Sequence, residues 1–305
     1  LLKEEQAGRA ANLKNRYNKL RNIWKELKPD LVLSFLGKNN IMALSTATRE
    51  GIKVVVSVRA DPDMEYGSRG LKAGMLATFG KAAGVVVQSK GAKAKFPKYI
   101  QKKCIILPNS LNPSFIRKRY IGDREKKIVM VARINSNKNQ EMVMRAFKDA
   151  AGDAFPDYSL VFYGDGPDSI KLQRLASELG IRKRVEFKGN VSNVAEHIEK
   201  ASIFILASNH EGMPNSLIEA MSLGLPCIST DCPCGGPRDL IEDGVNGLLV
   251  PVGDKDAMAR AITKVLSDKE LAERLGEQAT KIQEICSPDV TNSKWKKYFD
   301  RTMED

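Results

Sequence analysis

Short apolar runs recur along this chain, separated by segments whose apolar positions repeat with helical spacing. In the first part, Leu31-Val32-Leu33-Ser34-Phe35, the run Val54–Val58, Val85-Val86-Val87 and Ile105-Ile106-Leu107 read as strands. They are nearly continuous rather than alternating, which fits strands buried on both faces of a parallel sheet. A helix is expected over 4–27, where Leu13, Tyr17, Leu20, Trp24 and Leu27 fall on one face and Pro29 ends the pattern. Another is expected over about 39–50, ending at Gly51. In the second part, strands are expected near 128–132, 159–163, 184–187, 203–206, 226–229 and 247–250. Helices are expected near 139–150, 168–179, 193–200, 215–223, 237–242, 254–267 and 268–283. The stretch 289–302, with Trp295, Tyr298 and Phe299, predicts a last amphipathic helix. The alternation of strand and helix predicts an α/β protein with parallel sheets, doubly wound in its second half.

Composition changes this picture little. A chain of 305 residues, 42% hydrophobic, suggests about two domains with sizeable cores. The apolar runs are too short to cross a bilayer, and no signal-peptide pattern opens the chain. Five cysteines without a leader suggest reduced thiols and a cytoplasmic location. Cys227, Cys232 and Cys234 do not have zinc-ligand spacing, and no nearby histidine completes a set. Charge is more telling. Residues 1–121 hold 24 Lys+Arg against 8 Asp+Glu, a net charge of +16, while residues 122–305 are net −4. A basic first half implies either an anionic partner or a merely solvated basic face.

The richest stretch for chemistry runs from Glu211 to Met221. A buried strand at 203–206 leads into a Gly/Pro/Asn/Ser turn that opens an apolar helix, stopped by Gly224 and Pro226. A helix N-terminus presents unpaired N–H groups and suits phosphate or sugar oxygens. Gly212 permits close backbone approach, and Pro214 and Asn215 suit a helix start. Glu219 falls about one turn into the helix, where its carboxylate can accept the two vicinal hydroxyls of a ribose. Glu211 stands in the loop, where a sugar attached to the phosphate would lie. The bland reading is a capped helix with two solvated glutamates; either glutamate alone would favour it, but the eleven-residue pattern does not.

This stretch resembles the signature of the retaining glycosyltransferases of family 4, in particular bacterial enzymes that build lipid-linked or surface polysaccharides. The resemblance runs from about residue 30 to the C-terminus. It includes Ile128–Arg133 with Asn137-Lys138-Asn139, Leu160–Pro167, Val185–Asn190, Asp243–Pro251 and the segment Ile106–Ser110. It implies a GT-B fold, two Rossmann-like doubly wound domains facing a cleft. The expected division is 1–110 for an acceptor-side domain, 111–288 for a nucleotide-sugar domain, and 289–305 for a terminal helix crossing back. Members normally begin with a strand and a Gly-rich loop ahead of the helix at 4–27, so the first domain is expected to be incomplete in this chain.

The resemblance also implies roles. A UDP-linked sugar would bind the second domain, with Glu219 on the ribose and the loop at Gly189, Asn190 and Val191 on the base. Arg133, Lys138 and the backbone of the turn Gly212, Met213, Pro214, Asn215, Ser216 and Leu217 would hold the diphosphate and sugar, with Glu211 on sugar hydroxyls. Fixed cations at strand ends stabilise a diphosphate leaving group most in the transition state. Arg59 follows the strand at 54–58 and resembles a Ser-x-Arg-x-Asp-Pro pattern of lipid-glycan enzymes, so it is a candidate acceptor or phosphate contact. Asp61 and Asp63 spell D-x-D, a metal motif of a different fold, and neither metal nor cofactor is expected. The Thr230–Arg238 loop is expected near the donor. His197 reads as structural, and His210 as shaping the loop. The expected function is retaining transfer of a hexose or N-acetylhexosamine to a glycan acceptor, the economical candidate being a lipid-diphosphate-linked glycan. The basic half would then rest on the inner face of an anionic membrane. A sugar-nucleotide epimerase and a non-catalytic nucleotide-sugar-binding module are the alternatives; nucleic acid is disfavoured, since no RNA-binding aromatic signature or zinc-finger spacing accompanies the charge.

Overall fold

The computed structural model describes residues 8–152 and 154–304. Within it the chain divides into two compact units, Leu1–Leu107 with Ser293–Asp305, and Pro108–Asn292.

The first unit is built on four parallel strands, β1 (Leu31–Phe35), β2 (Lys53–Ser57), β3 (Gly84–Val87) and β4 (Cys104–Ile106), in that spatial order. The register sets Leu33 beside Val55, Val56 beside Val85, and Val86 beside Ile105. Val54–Val56 and Val85–Val87 are fully buried, as their unbroken β-branched runs require. Helix Arg9–Leu27 is fastened by its polar tips. Tyr17 Oη donates to the Ser45 carbonyl (3.4 Å), Trp24 Nε1 donates to Thr46 Oγ1 (2.9 Å), and Arg21 pairs with Glu50 (2.5 Å). Positions 4–7 of the expected helix lie outside the described residues.

The helix expected over 39–50 is instead an α-helix at Gly37–Thr46 followed by a tight 3₁₀ turn at Ala47–Glu50. The hydroxyls of Ser45, Thr46 and Thr48 donate back to the carbonyls of Ile41, Met42 and Leu44 at 2.6–2.8 Å. Such back-bonding competes with the backbone ladder and bends a helix. The segment expected as one helix over 268–283 likewise divides into Lys269–Ala279, a turn at Thr280–Ile282, and Gln283–Cys286. The last helix, Pro288–Glu304, begins in the second unit and ends in the first. Its Trp295 and Tyr298 pack against Val55, Val86 and Leu107. Lys53 Nζ donates to the carbonyls of Thr302 (3.0 Å) and Met303 (2.8 Å), a cation on the negative end of the helix.

The second unit carries six parallel strands: β5 (Glu125–Val131), β6 (Ser159–Tyr163), β7 (Val185–Phe187), β8 (Ala201–Leu206), β9 (Cys227–Thr230) and β10 (Leu248–Val250). Their order is β10-β9-β8-β5-β6-β7. This is the doubly wound arrangement, and the strand order reverses between β5 and β8. Every residue of β8 is buried. Ile203 and Ile205 pack on one face with Met144, Phe147, Phe162 and Ile262. Phe204 and Leu206 pack on the other with Val129, Val161, Leu217 and Met221. Each such side chain contributes roughly 2 kcal/mol through burial. The sheet is therefore a rigid platform, and its two central strands end side by side.

Candidate active site

Ligands of doubly wound sheets bind beyond the carboxyl ends of the strands, where the strand order reverses. Here that place is framed by the loops after β5 and β8. Asparagines stitch the two loops together. Asn137 Nδ2 donates to the His210 carbonyl (3.1 Å), and the His210 amide donates to Asn137 Oδ1 (3.2 Å). The Asn209 amide donates to the Asn137 carbonyl (2.8 Å), and Asn209 Nδ2 to the Ser136 carbonyl (3.1 Å). Asn139 Nδ2 reaches Asn209 Oδ1 at 3.4 Å.

This clamp brings Lys138 onto Glu211, and Lys138 Nζ forms an ion pair with Glu211 Oε1. Ser208 Oγ donates to the same carboxylate oxygen at 2.6 Å. Lys138 closes a short 3₁₀ turn at Ser136–Lys138 whose first amide partner is the Asn135 side chain (3.1 Å to Lys138 N). Asn139 then turns the chain with a left-handed φ of 52° into helix Gln140–Ala151. Gln140 Nε2 holds the Arg133 carbonyl at 3.0 Å. The Arg133 side chain is exposed at the end of β5 and has no ion-pair partner among the described residues.

Helix Asn215–Ser222 opens directly beyond the ion pair. Pro214 occupies the cap position, and no side chain caps the first turn. The amides of Asn215 and Ser216 therefore point outward unclaimed. Asn109 anchors the turn from below: its Nδ2 donates to the Met213 carbonyl (3.0 Å) and to Asn215 Oδ1 (2.6 Å). Met213, Pro214 and Leu217 are buried and support the turn. Gly212 lies under Gly236, where a Cβ would stand 1.6 Å from the Gly212 carbonyl oxygen. No other residue fits at Gly236 without moving the loop.

Glu219 stands one turn into this helix, half-buried, its carboxyl with no hydrogen bond or ion pair among the described residues. Burial raises its carboxyl pKa to about 7. An acid so placed, without a protein partner, is free to take hydroxyl donors from a ligand. The site thus offers one open cation, one cation–anion pair, unclaimed amides and one unpartnered carboxyl.

The remaining expected residues are placed as follows. Gly189, Asn190 and Val191 form the loop after β7, two strands and so about 10 Å from β5. The Gly164 amide donates to the Gly189 carbonyl (2.7 Å), tying that loop to the end of β6. Gly164 has φ +126°, and a Cβ there would lie 2.2 Å from the Ala132 carbonyl oxygen. The Thr230–Arg238 loop lies beside Glu211. Cys232 is buried there, and burial, with the Glu211 carboxylate as a lesser cause, pushes its thiol up to about 12. Arg238 pairs with Asp231 rather than standing free. His197 packs its ring on Tyr163 (5.8 Å).

Arg59 lies in the first unit, past the end of β2. Its guanidinium sits over the Phe35 ring at 5.7 Å, Nη1 is buried without a hydrogen-bond partner, and burial lowers its pKa. The Asp61 and Asp63 carboxylates both pair with Lys95, at 2.5 and 2.8 Å. Asp61 also caps the short helix Pro62–Glu65 by accepting from the Asp63 amide (3.0 Å).

Residue reading alone missed the Asn137–Asn209 clamp and the anchoring role of Asn109. Both pairings join positions far apart in the chain, and the only local signal was the density of asparagine near Lys138.

The model of the family described as "Glycosyl transferases group 1" matches residues 113–282, more than half of the chain. Exopolysaccharide phosphotransferase SCO2592 of Streptomyces coelicolor is 32% identical over 194 residues, 63% of this chain and 20% of that protein. The GalNAc-alpha-(1->4)-GalNAc-alpha-(1->3)-diNAcBac-PP-undecaprenol alpha-1,4-N-acetyl-D-galactosaminyltransferase of Campylobacter jejuni is 28% identical over 265 residues, 84% of this chain and 70% of that one. The chain spans less than half the length of several other curated relatives. Among solved structures, Anabaena HepE in complex with UDP superposes with a TM-score of 0.81 at 18% identity, covering 93% of this chain and 82% of that one. That likeness gives the fold, two parallel-sheet α/β units of the GT-B class. By the family model that covers most of its second unit, the chain belongs to the group 1 glycosyl transferases.

Proposed function

We propose that the chain is a retaining glycosyltransferase that takes a hexose or N-acetylhexosamine from a UDP-sugar and passes it to a glycan acceptor. The observation that carries this reading is the convergence of Arg133, the Lys138–Glu211 pair and the unpartnered Glu219 at one reversal point of one sheet. Glu219 accepts the ribose hydroxyls. Gly189, Asn190 and Val191 meet the base. Arg133, Lys138 and the open amides of the Asn215 turn take the diphosphate, and Glu211, released from Lys138, takes sugar hydroxyls.

The bond between the anomeric carbon and the diphosphate oxygen breaks, and its electron pair leaves on the diphosphate. The acceptor oxygen bonds to the same face of that carbon, and its proton passes to the departing phosphate oxygen. Cations fixed beside that oxygen favour the transition state over the ground state, because negative charge accumulates there as the bond breaks. No protein nucleophile and no metal ion is assigned to the reaction. The first unit, with Arg59, takes the acceptor, a lipid-diphosphate-linked glycan. That places the enzyme peripherally at the cytoplasmic face of an anionic membrane.

Calorimetric titration with UDP tests the donor half. Saturable binding that Glu219→Ala abolishes is the expected result. A folded wild-type protein that takes up no UDP would overturn the donor assignment, and a product of inverted anomeric configuration would overturn retention.

A further inference from the structure

Glu211 is held at one oxygen only. Its Oε1 receives both the Lys138 ammonium and the Ser208 hydroxyl, while Oε2 accepts no hydrogen bond among the described residues. The two anchors differ in kind. Lys138 is a partly exposed cation on a long flexible stem, carried by the turn after β5. Ser208 is fully buried just past the end of β8, and its carbonyl accepts from Thr230 Oγ1 at 2.6 Å. Thr230, the last residue of β9, is fully buried as well. The amide that follows it, of Asp231, donates to the Val250 carbonyl at the end of β10 (2.8 Å). Ser208 is thus fixed by the ends of β8, β9 and β10, whereas Lys138 is free to swing.

In the proposed reaction Lys138 turns to the diphosphate. Its pair with Glu211 is given up at the moment when Glu211 must be in place for the sugar. A carboxylate left there without a donor could rotate away. We propose that Ser208 is the positioning residue of this site: it stays on Glu211 Oε1 when Lys138 leaves and so keeps Oε2 toward the sugar hydroxyls, with Thr230 fixing Ser208 in turn. A serine hydroxyl has one proton to donate, and Glu211 takes it, so Ser208 acts through Glu211 rather than by contact with the sugar. The proposal deepens the donor side of the proposed function and rests on that reading. It adds a hand-over, in which Glu211 passes from two anchors to one as the donor binds.

Two measurements on Ser208 variants test it: titration with UDP, and UDP release from a panel of UDP-hexoses and UDP-N-acetylhexosamines by transfer or hydrolysis. Ser208→Ala is expected to lower kcat by roughly 10- to 100-fold, the worth of one hydrogen bond to a charged group. Its dissociation constant for UDP, which has no sugar for Glu211 to hold, should stay within about twofold of wild type. Ser208→Thr keeps the hydroxyl and should recover most of the turnover. Ser208→Cys, of similar size but a weak donor, should not, and it carries the test if the alanine variant proves unstable in denaturant melts. On a Glu211→Ala background, Ser208→Ala should cost nothing further, whereas a merely structural serine would cost the same on either background. Wild-type turnover in Ser208→Ala, full activity in Ser208→Cys, an additive loss on Glu211→Ala, or a UDP affinity that falls in step with turnover would each overturn the positioning role. A folded wild type that takes up no UDP, or releases none from any of these sugars, removes the donor or transfer reading itself. Normal binding and turnover in wild type with an insensitive Ser208 removes only this role.

Discussion

Glu219 is kept half out of water with no partner for its carboxyl among the described residues, and its raised pKa follows from that burial. Its carboxyl, raised to about 7 from 4.5, keeps its proton in the folded protein at pH values where the unfolded chain has lost it. The folded state is then favoured below about pH 4.5 and loses stability as pH rises toward 7; above that the cost is complete. Glu219→Gln should therefore stabilise the protein by about 1 kcal/mol near pH 8, a value discounted for partial solvent exposure, and by nothing near pH 4. Denaturant melts at the two pH values check this. A ligand whose hydroxyls donate to the ionised form must first see it ionised. UDP affinity should accordingly rise about tenfold between about pH 6 and pH 8, and this dependence should vanish in Glu219→Gln. The position of Glu219 was legible in the sequence, because eleven consecutive residues specify a loop, a helix start and two acids. Its lack of a partner was not legible, since that depends on which side chains the fold withholds from it.

At the scale of elements, the loops after β5 and β8 act as one piece. Asn137 exchanges two hydrogen bonds with the His210 backbone, so Asn137→Ala frees the Glu211 loop from the Lys138 turn. The expected cost is about 1–2 kcal/mol in stability. Turnover of a UDP-sugar should fall by an order of magnitude or more while UDP affinity changes little, because positioning rather than contact is lost. Steady-state kinetics beside a UDP titration distinguishes this from simple unfolding. Gly236→Ala attacks the same loop from the other side. A methyl group cannot share space with the Gly212 carbonyl, so the turn must shift, at a cost of about 1–3 kcal/mol and with weakened UDP binding. The strands themselves were readable from their apolar runs. The broken helices at Thr46 and Ala279 were not, because serine and threonine hydroxyls redirect carbonyls in a way that hydrophobic spacing does not record. The spatial order of the strands was not legible either, because the α/β rhythm gives parallel sheets and leaves their order to long-range pairing.

For the whole molecule, the two units keep separate accounts of burial. The second unit closes its core between Pro108 and Asn292, whereas the first needs Trp295 and Tyr298 over Val55, Val86 and Leu107. Removing 293–305 should leave UDP binding intact and make the protein prone to aggregate through the uncovered sheet face. Calorimetry on the soluble fraction, with light scattering on the remainder, reads both outcomes. Charge at this scale was plain from composition, since the basic excess falls in residues 1–121. What composition could not give was its local arrangement, with Lys95 occupied by Asp61 and Asp63.

The last helix also orders events in time. Because the chain leaves the first unit at Leu107 and returns only at Ser293, everything between is an insertion as far as that unit is concerned. On a ribosome adding roughly 5–20 residues each second, the β1–β4 sheet waits about ten seconds or more for its final lid. The inserted unit can complete its own fold during that interval. The nascent protein is thus expected to become competent for nucleotide before its first sheet is sealed, and a chaperone that grips exposed valine-rich strands would find its target in residues 31–107.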